Sequence, residues 1–262
     1  MHSNKIRFVR SGFHSLVMAF VLAMILPTAC TELKQITDQL EGYQRPLTQQ
    51  EVIMGLREAL VIGSDSAASR LGETNGYLHN PLIRIELPAE AKIITDQMAY
   101  LPGGKAMVDD VILRINRAAE DAAREAGPVF RQAISNMTIR DGFEILNGEK
   151  DAATQYLRSQ THQELFNLYQ PKIALSLNKP IVGNMSTNDA WAQLTGSWNK
   201  IANSVAGRLA NLQTVNADLD FYLTERALDG LFHELAREEE KIRTDPMNRV
   251  TELLKRVFGH SG

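Results

Sequence analysis

Apolar residues recur every three or four positions along most of this chain, and that spacing predicts helices. The most regular run lies near the C-terminus, where Phe221, Leu228, Leu231, Leu235 and Ile242 keep the step over about six helical turns. Such a stripe occupies one face of an α-helix and has to be buried against other helices. The chain is 44% apolar, which suffices for a sizeable core. We therefore predict an all-α fold, a multi-helix single-domain bundle with long C-terminal helices.

Three local features add detail to this bundle. The stripe from Val108 to Ala126 ends in alanines, which let a neighbouring helix approach closely. Pro171 interrupts a later helical pattern and predicts a kink or a new helix start there. Residues 82–87 alternate apolar and polar side chains, so we predict at most a short extended segment or minor hairpin near them.

The first thirty residues have the pattern of an export signal. Lys5, Arg7 and Arg10 precede an unbroken run of eleven apolar residues, 16–26, and small residues then lead to Cys30. Eleven residues span only about 17 Å as a helix. A bilayer hydrocarbon core is about 30 Å thick, so a cleaved secretory signal is favoured over a transmembrane helix.

Cys30 is the only cysteine of the chain, which excludes an intramolecular disulfide. Its position resembles that of the acylated cysteine in a lipobox, although Pro27 stands where that motif favours leucine. A plain signal cleaved near Ala29, or an uncleaved anchor, is the alternative. Thr31 follows the cysteine, and by resemblance to Gram-negative sorting rules a residue other than aspartate favours the outer membrane. Because acyl chains add about 0.8 kcal/mol of membrane affinity per buried CH₂, no transmembrane segment is then needed.

This interpretation divides the chain into a lipoprotein-type signal peptide (1–29), a lipidated N-terminus and tether (30–47) and a helical domain (48–262). Removing the signal takes away three basic residues and no acidic ones, which changes the formal net charge from −3 to −6. A negatively charged body has no general attraction to phosphate backbones, so we expect no nucleic-acid partner. The expected partners are the membrane, through the lipid, and an unknown envelope protein or small ligand.

Most catalytic templates are missing from the sequence. It contains no Gly-x-Ser-x-Gly elbow, phosphate loop or Gly-x-Gly-x-x-Gly turn. His233-Glu-Leu-Ala-Arg237 is one residue short of a zinc-binding helix, but Arg237 stands where the second histidine is needed. Because arginine cannot ligate zinc, we expect no metal and no cofactor, and an enzyme is the less favoured interpretation.

Glutamates interrupt the apolar stripe of the last long helix. After Leu235 the next core position is 238 or 239, and both are glutamate, so at least one carboxylate lies on or beside the buried stripe. A buried carboxylate is costly without partners, and basic residues of the alanine-rich helix and beyond the last turn could supply them. We predict a polar network whose candidate members are Glu238, Glu239, Arg114, Arg117 and Arg249. The alternatives are a solvated face with Glu239–Arg243 as an i,i+4 pair, or a carboxylate-dependent, possibly metal-assisted hydrolase.

Four aromatic residues form a second candidate site. Trp191, Trp198, Phe221 and Tyr222 could line an apolar ligand pocket. Aromatic residues at helical spacing are more often ordinary core residues, so both interpretations stay open.

Several motifs together resemble the bacterial family called domain of unknown function 4197, or DUF4197. They run from about Glu51 to Gly259, nearly the whole chain after the signal. The motifs are Asn116-Arg-Ala-Ala-Glu120, Asp151-Ala-Ala-Thr-Gln-Tyr156, Asp218-Leu-Asp-x-Tyr-x-Thr-Glu-x-Ala-Leu-Asp-Gly-Leu-Phe232, Glu238-Glu-x-Lys-Ile-Arg243 and Leu253-Leu-Lys-x-Val-Phe-Gly259. The resemblance implies an exported, mostly helical protein of unassigned activity, and it implies no catalytic residues.

We therefore expect an outer-membrane lipoprotein facing the periplasm, with a non-enzymatic helical binding or interaction module. The rival function is a hydrolase that uses the Glu238/Glu239 region as acid and base.

The anchor is testable by metabolic labelling with a fatty acid in a lipoprotein-processing host. We expect the label on the mature protein, because the sulfur of Cys30 is the only site for it. A mature wild-type protein without label would contradict the anchor.

Overall fold

Long helices account for most of the residues that the computed structural model describes, which are 46–92, 95–96, 100, 102–182, 184–216 and 218–259. The predicted signal segment, Cys30 and nearly all of the tether lie outside these ranges. Nine α-helices lie within them, and the prediction of an all-α fold is confirmed. They are α1 (Gln49–Gly72), α2 (Gly104–Ala123), α3 (Ala126–Asn136), α4 (Ile139–Asn147), α5 (Ala152–Leu177), α6 (Thr187–Ala202), α7 (Val205–Leu209), α8 (Leu219–Thr244) and α9 (Glu252–Gly259).

The core lies where α1, α2, α5 and α8 meet. Helix α5 packs against α2, α3 and α8, while α1 packs against α2, α3, α8 and α9. The apolar stripe of each helix faces this centre, as Leu157 of α5 and Leu228 of α8 illustrate with 0% exposure. Burial of one such side chain contributes about 1.5–3 kcal/mol, so packing rather than helix propensity stabilises the bundle.

The alanines of α2 do allow a close approach. Ala119, Ala122 and Ala123 are completely buried, and α2 packs against both α5 and α1. Two further positions need small residues for the same reason. A Cβ atom at Gly142 would overlap Ile53 Cδ1, and one at Gly230 would lie 2.7 Å from a Tyr77 ring carbon.

Residues 82 and 83 belong to a turn and residues 84–87 to no helix or strand. The one small hairpin among the described residues lies elsewhere, and it pairs β1 (Pro180–Val182) with β2 (Met185–Ser186) in antiparallel fashion. Asn116 of α2 bonds to the backbone at Ile85 as a neighbouring strand would. The Ile85 N–H donates to Asn116 Oδ1 at 2.9 Å, and Asn116 Nδ2 donates to the Ile85 carbonyl at 2.9 Å.

Pro171 lies inside α5 without starting a new helix. Proline in a helix interior removes one backbone hydrogen bond and costs about 3 kcal/mol. Tyr169 and Ile173, on either side of it, are both completely buried. We infer that the packing of α5 against its neighbours outweighs the cost.

Two of the four aromatic residues considered above, Trp191 and Trp198, belong to α6, and the other two, Phe221 and Tyr222, lie in the first turn of α8. Helix α6 begins at a capping box in which Ser186 and Asp189 exchange hydrogen bonds, and it ends at Ala202. Helix α7 follows after a break at Asn203 and Ser204. Among the described helices, none has both the length and the apolar character needed to cross a membrane.

We expect Asn116→Ala to lower the free energy of unfolding by about 3 kcal/mol, because it leaves the buried N–H and C=O of Ile85 without partners. The control is Asn167→Ala, which removes one exposed hydrogen bond to Gln163 and should change stability by less than about 0.5 kcal/mol. Chemical denaturation of both variants measures the difference. Equal stabilities would contradict the role of Asn116.

Candidate functional site

Glu239 of α8 caps the N-terminus of α5. The first helical turn leaves backbone N–H groups without partners in their own helix. Asp151 precedes the helix but its side chain accepts no capping hydrogen bond. Glu239 instead accepts from the N–H of Ala153 at 3.0 Å, and from both the N–H and the hydroxyl of Thr154 at 2.8 Å each. A carboxylate there also interacts favourably with the helix dipole.

A guanidinium group balances the charge of Glu239. Arg243, one turn further along α8, lies 2.8 Å from Glu239 Oε1 and also donates to the Ile145 carbonyl at 3.0 Å. Arg249 lies close by but binds backbone instead. Its guanidinium donates to the carbonyls of Ile242 at 3.2 Å and Arg243 at 2.9 Å. It therefore caps the C-terminal end of α8, where a positive charge is favourable.

Two more glutamates of α8 join this helix to α1. Glu238 pairs with Lys241 at 2.6 Å and with Arg70 of α1 at 3.1 Å. Glu234, completely buried, pairs with Arg237 at 2.9 Å and with Arg70 at 3.4 Å. Arg70 therefore bridges both carboxylates across the helix interface.

A fourth buried carboxylate, Glu120 of α2, holds the loop after α1. It accepts from the backbone N–H groups of Tyr77 and Leu78, both at 3.3 Å, and pairs with Arg117. Burial raises the pKa of the Tyr77 hydroxyl well above its usual range. That hydroxyl donates to the Ala227 carbonyl of α8 at 2.9 Å, which ties the same loop to a second helix.

The structure thus corrects the predicted membership of the network. Glu238 and Glu239 are each only 8% exposed, but Arg114 and Arg117 reach neither of them. Arg114 pairs with Asp110 at 2.7 Å, and Arg117 pairs with Glu120. Both arginines have acidic partners one turn away on their own helix, where the chain already holds the charges close together. The predicted Glu239–Arg243 pair does form, although it is buried rather than solvated.

Sequence reasoning missed Glu120, Glu234 and Asn116. For Asn116 and Glu120 the sequence offered an indication of their importance, because they stand at the two ends of one family motif. Glu234 also had such an indication, since it lies three residues after Leu231 and four before Glu238 on the buried face.

This network leaves little room for a substrate. The cavity beside Glu239 and Arg243 has a volume of about 20 Å³, which holds about one water molecule. His233, which a metal-assisted hydrolase would need beside Glu238 and Glu239, is exposed while the two glutamates are buried. Within the residues that the structure describes, no group of three or more His, Cys, Asp or Glu could hold a metal ion.

Two open clefts lie side by side elsewhere on the molecule, and they contain the four predicted aromatic residues. The Trp191 cleft, of about 200 Å³, is lined by Trp191, Phe221 and Tyr222. The Trp198 cleft, of about 250 Å³, is lined by Trp198 together with Leu194, Thr195 and the segment 213–215. Glu90 and Val215 line both clefts. Three of the four predicted aromatic residues therefore line one cleft, and the fourth, Trp198, lines the neighbouring cleft.

Hydrogen bonds fix the wall between the clefts. The Asn199 side chain of α6 donates to the Val215 carbonyl at 2.9 Å and accepts from its N–H at 2.8 Å. Trp198 Nε1 donates to the Gln213 carbonyl at 2.9 Å. Asp218 caps α8 by accepting from the N–H of Phe221 at 2.8 Å. Hydrogen bonds therefore hold the backbone in place on both sides of the aromatic rings, at Gln213 and Val215 on one side and at Phe221 on the other.

The rings differ in exposure. Trp191 is only 4% exposed, and within the described part of the chain its buried Nε1 has no hydrogen-bond partner. Phe221 is 45% exposed and its ring centroid lies 5.3 Å from that of Phe166. Ligand pockets are lined mainly by apolar and aromatic side chains, and Phe221 offers such ring surface to the Trp191 cleft.

The sequence profile of a family of proteins of unknown function, DUF4197, matches residues 46–259. This chain belongs to that family. The match covers all nine described helices and both candidate sites, so the resemblance seen in the motifs is confirmed. Comparison with curated proteins and with solved structures gives no match.

We expect Glu239→Ala to lower the free energy of unfolding by about 3 kcal/mol, because it leaves Arg243 and two backbone N–H groups without their acceptor. Glu240→Ala is the matched control, since Glu240 is the exposed neighbour on the same helix. That change should stay within about 0.5 kcal/mol of wild type. If urea denaturation gives both variants wild-type stability, Glu239 does not hold α5.

Proposed function

We propose that this chain is an outer-membrane lipoprotein facing the periplasm, with a helical body that acts as a non-enzymatic binding module. The anchor rests on the N-terminal pattern, in which a basic segment and a short apolar run precede Cys30. The body would then stay close to the membrane by its acyl chains alone.

The observation that carries the binding role is the pair of adjoining aromatic clefts. The buried glutamates elsewhere are paired with basic side chains, whereas Phe221 and Tyr222 present ring surface to an open cleft. Ligand sites are typically apolar concavities with a few polar groups that orient the ligand. The Trp191 cleft has that composition, with Asp218, Glu225 and Arg226 beside its rings.

The size of the clefts sets the size of the ligand. Sites for drug-sized molecules measure about 300–1,000 Å³, and these clefts have volumes of about 200 and 250 Å³. Each cleft alone suits a small molecule or one apolar group of a longer one. Because both share the wall at Val215, one ligand could occupy both.

The rival hydrolase finds less support. An acid–base pair has to reach the substrate, but Glu239 already accepts three hydrogen bonds from Ala153 and Thr154 and one from Arg243. Glu238 is engaged by Lys241 and Arg70.

Intrinsic fluorescence tests the binding role. The chain has two tryptophans, and each lines one of the clefts. We expect small water-soluble apolar compounds to shift the tryptophan emission of the purified full chain in uncharged detergent, in a saturable way. Val215→Phe should abolish the shift, because the larger side chain at the wall between the clefts fills the space that a ligand needs.

Val205→Phe is the matched control, since Val205 is 68% exposed and lines neither cleft. It should respond as wild type does. The binding role fails if no compound shifts the emission, or if the Val215→Phe variant binds as well as wild type.

A further inference from the structure

The charges beside the Trp191 cleft are predominantly negative. Glu90, Asp218 and Glu225 line it, against a single basic residue, Arg226. Three carboxylates beside an apolar concavity produce a negative potential, and low-dielectric walls strengthen it. This potential disfavours an anionic ligand and favours a cation.

The one basic residue is already engaged. The Arg226 guanidinium pairs with Asp229, which also pairs with Arg158. It lies 5.8 Å from the centroid of the Tyr222 ring, in cation–π contact. The ring face of Tyr222 therefore already attracts a positive charge from within the chain.

The remaining rings of the cleft suit a cation for the same reason. The faces of tryptophan, tyrosine and phenylalanine carry negative charge density and attract organic cations within about 6 Å of the ring centre. Quaternary ammonium groups are typical ligands of such aromatic cages, because they combine positive charge with an apolar surface. Trp191 and Phe221 supply two rings to the Trp191 cleft in addition to Tyr222.

We infer that the Trp191 cleft binds a small organic cation, an ammonium group with apolar substituents, held against the exposed ring of Phe221 and near the carboxylates of Asp218 and Glu225, with the largely buried Trp191 at the cleft wall. This inference rests on the proposed function and specifies the ligand class of the same site. The apolar substituents would replace water against the rings, and the carboxylates would neutralise the charge.

Three probes of similar shape and different charge show whether binding depends on the charge of the ligand or on its shape. Choline carries a trimethylammonium group, 3,3-dimethyl-1-butanol has a neutral tert-butyl group of the same shape in its place, and 3,3-dimethylbutanoate has that tert-butyl group with a carboxylate at its other end. Tryptophan emission of the full chain reports the binding of each. We expect choline to bind about tenfold more tightly than the neutral alcohol, and the carboxylate to bind more weakly than either.

Variants assign the effect to the cleft. Asp218→Asn keeps a good helix cap but removes one charge, and Glu225→Gln does the same without a change of size. Each should weaken choline binding about threefold and leave the neutral alcohol unaffected. Arg226→Gln should strengthen choline binding, because it removes the competing cation. Glu164→Gln, an exposed change that lines neither cleft, is the control and should have no effect.

Each outcome decides the inference. If the neutral alcohol binds as tightly as choline, or if the charge variants bind choline as wild type does, the ligand is not a cation, although the cleft still binds ligands. If none of the three probes shifts the emission while another compound does so in wild type and not in Val215→Phe, the inference also fails and the proposed function stands. If no compound at all shifts the emission, both fail.

Discussion

The first turn of α5 has backbone N–H groups without acceptors in their own helix, and Asp151, which precedes the helix, does not cap them. A glutamate from α8 accepts their hydrogen bonds instead. Glu239 is only 8% exposed, and Ala153, Thr154 and Arg243 surround it with hydrogen-bond donors. One carboxylate thereby fixes the position of α8 relative to α5, the two helices with the most extensive mutual contact. Apolar packing alone would leave the register between these helices less well defined.

The same principle recurs at the other main junctions. Arg70 joins α1 to two glutamates of α8, and Glu120 with Asn116 fastens the segment 77–85 to α2. In each case a buried polar side chain satisfies backbone or charged groups that have no partner in their own element, as burial requires. The buried glutamates are thus engaged in joining parts of the fold, and the aromatic clefts remain as the candidate site for function.

Sequence patterns predicted the features that depend on a single helix, but they did not predict the contacts that depend on which helices are neighbours. The apolar stripe gave the all-α class, and its interruption at Glu238 indicated buried carboxylates. The partners of those carboxylates depend on which helices are neighbours, which spacing does not reveal, so Arg114 was assigned wrongly. The alternation at residues 82–87 indicates at most a short extended segment or minor hairpin, and a period-two pattern does not show that Asn116 takes the place of a strand. Three of the four aromatic residues line one cleft and Trp198 lines the other, a division that depends on how the segment 213–215 folds back on α6.

The most direct test of this account is amide hydrogen exchange at the start of α5. The account predicts that Glu239→Gln speeds exchange at Ala153 and Thr154, because a neutral amide accepts less strongly than a carboxylate. Exchange in α6 should stay at the wild-type rate, since that helix takes no part in the network. Unchanged protection at Ala153 and Thr154 would contradict the claim that Glu239 holds these two helices together.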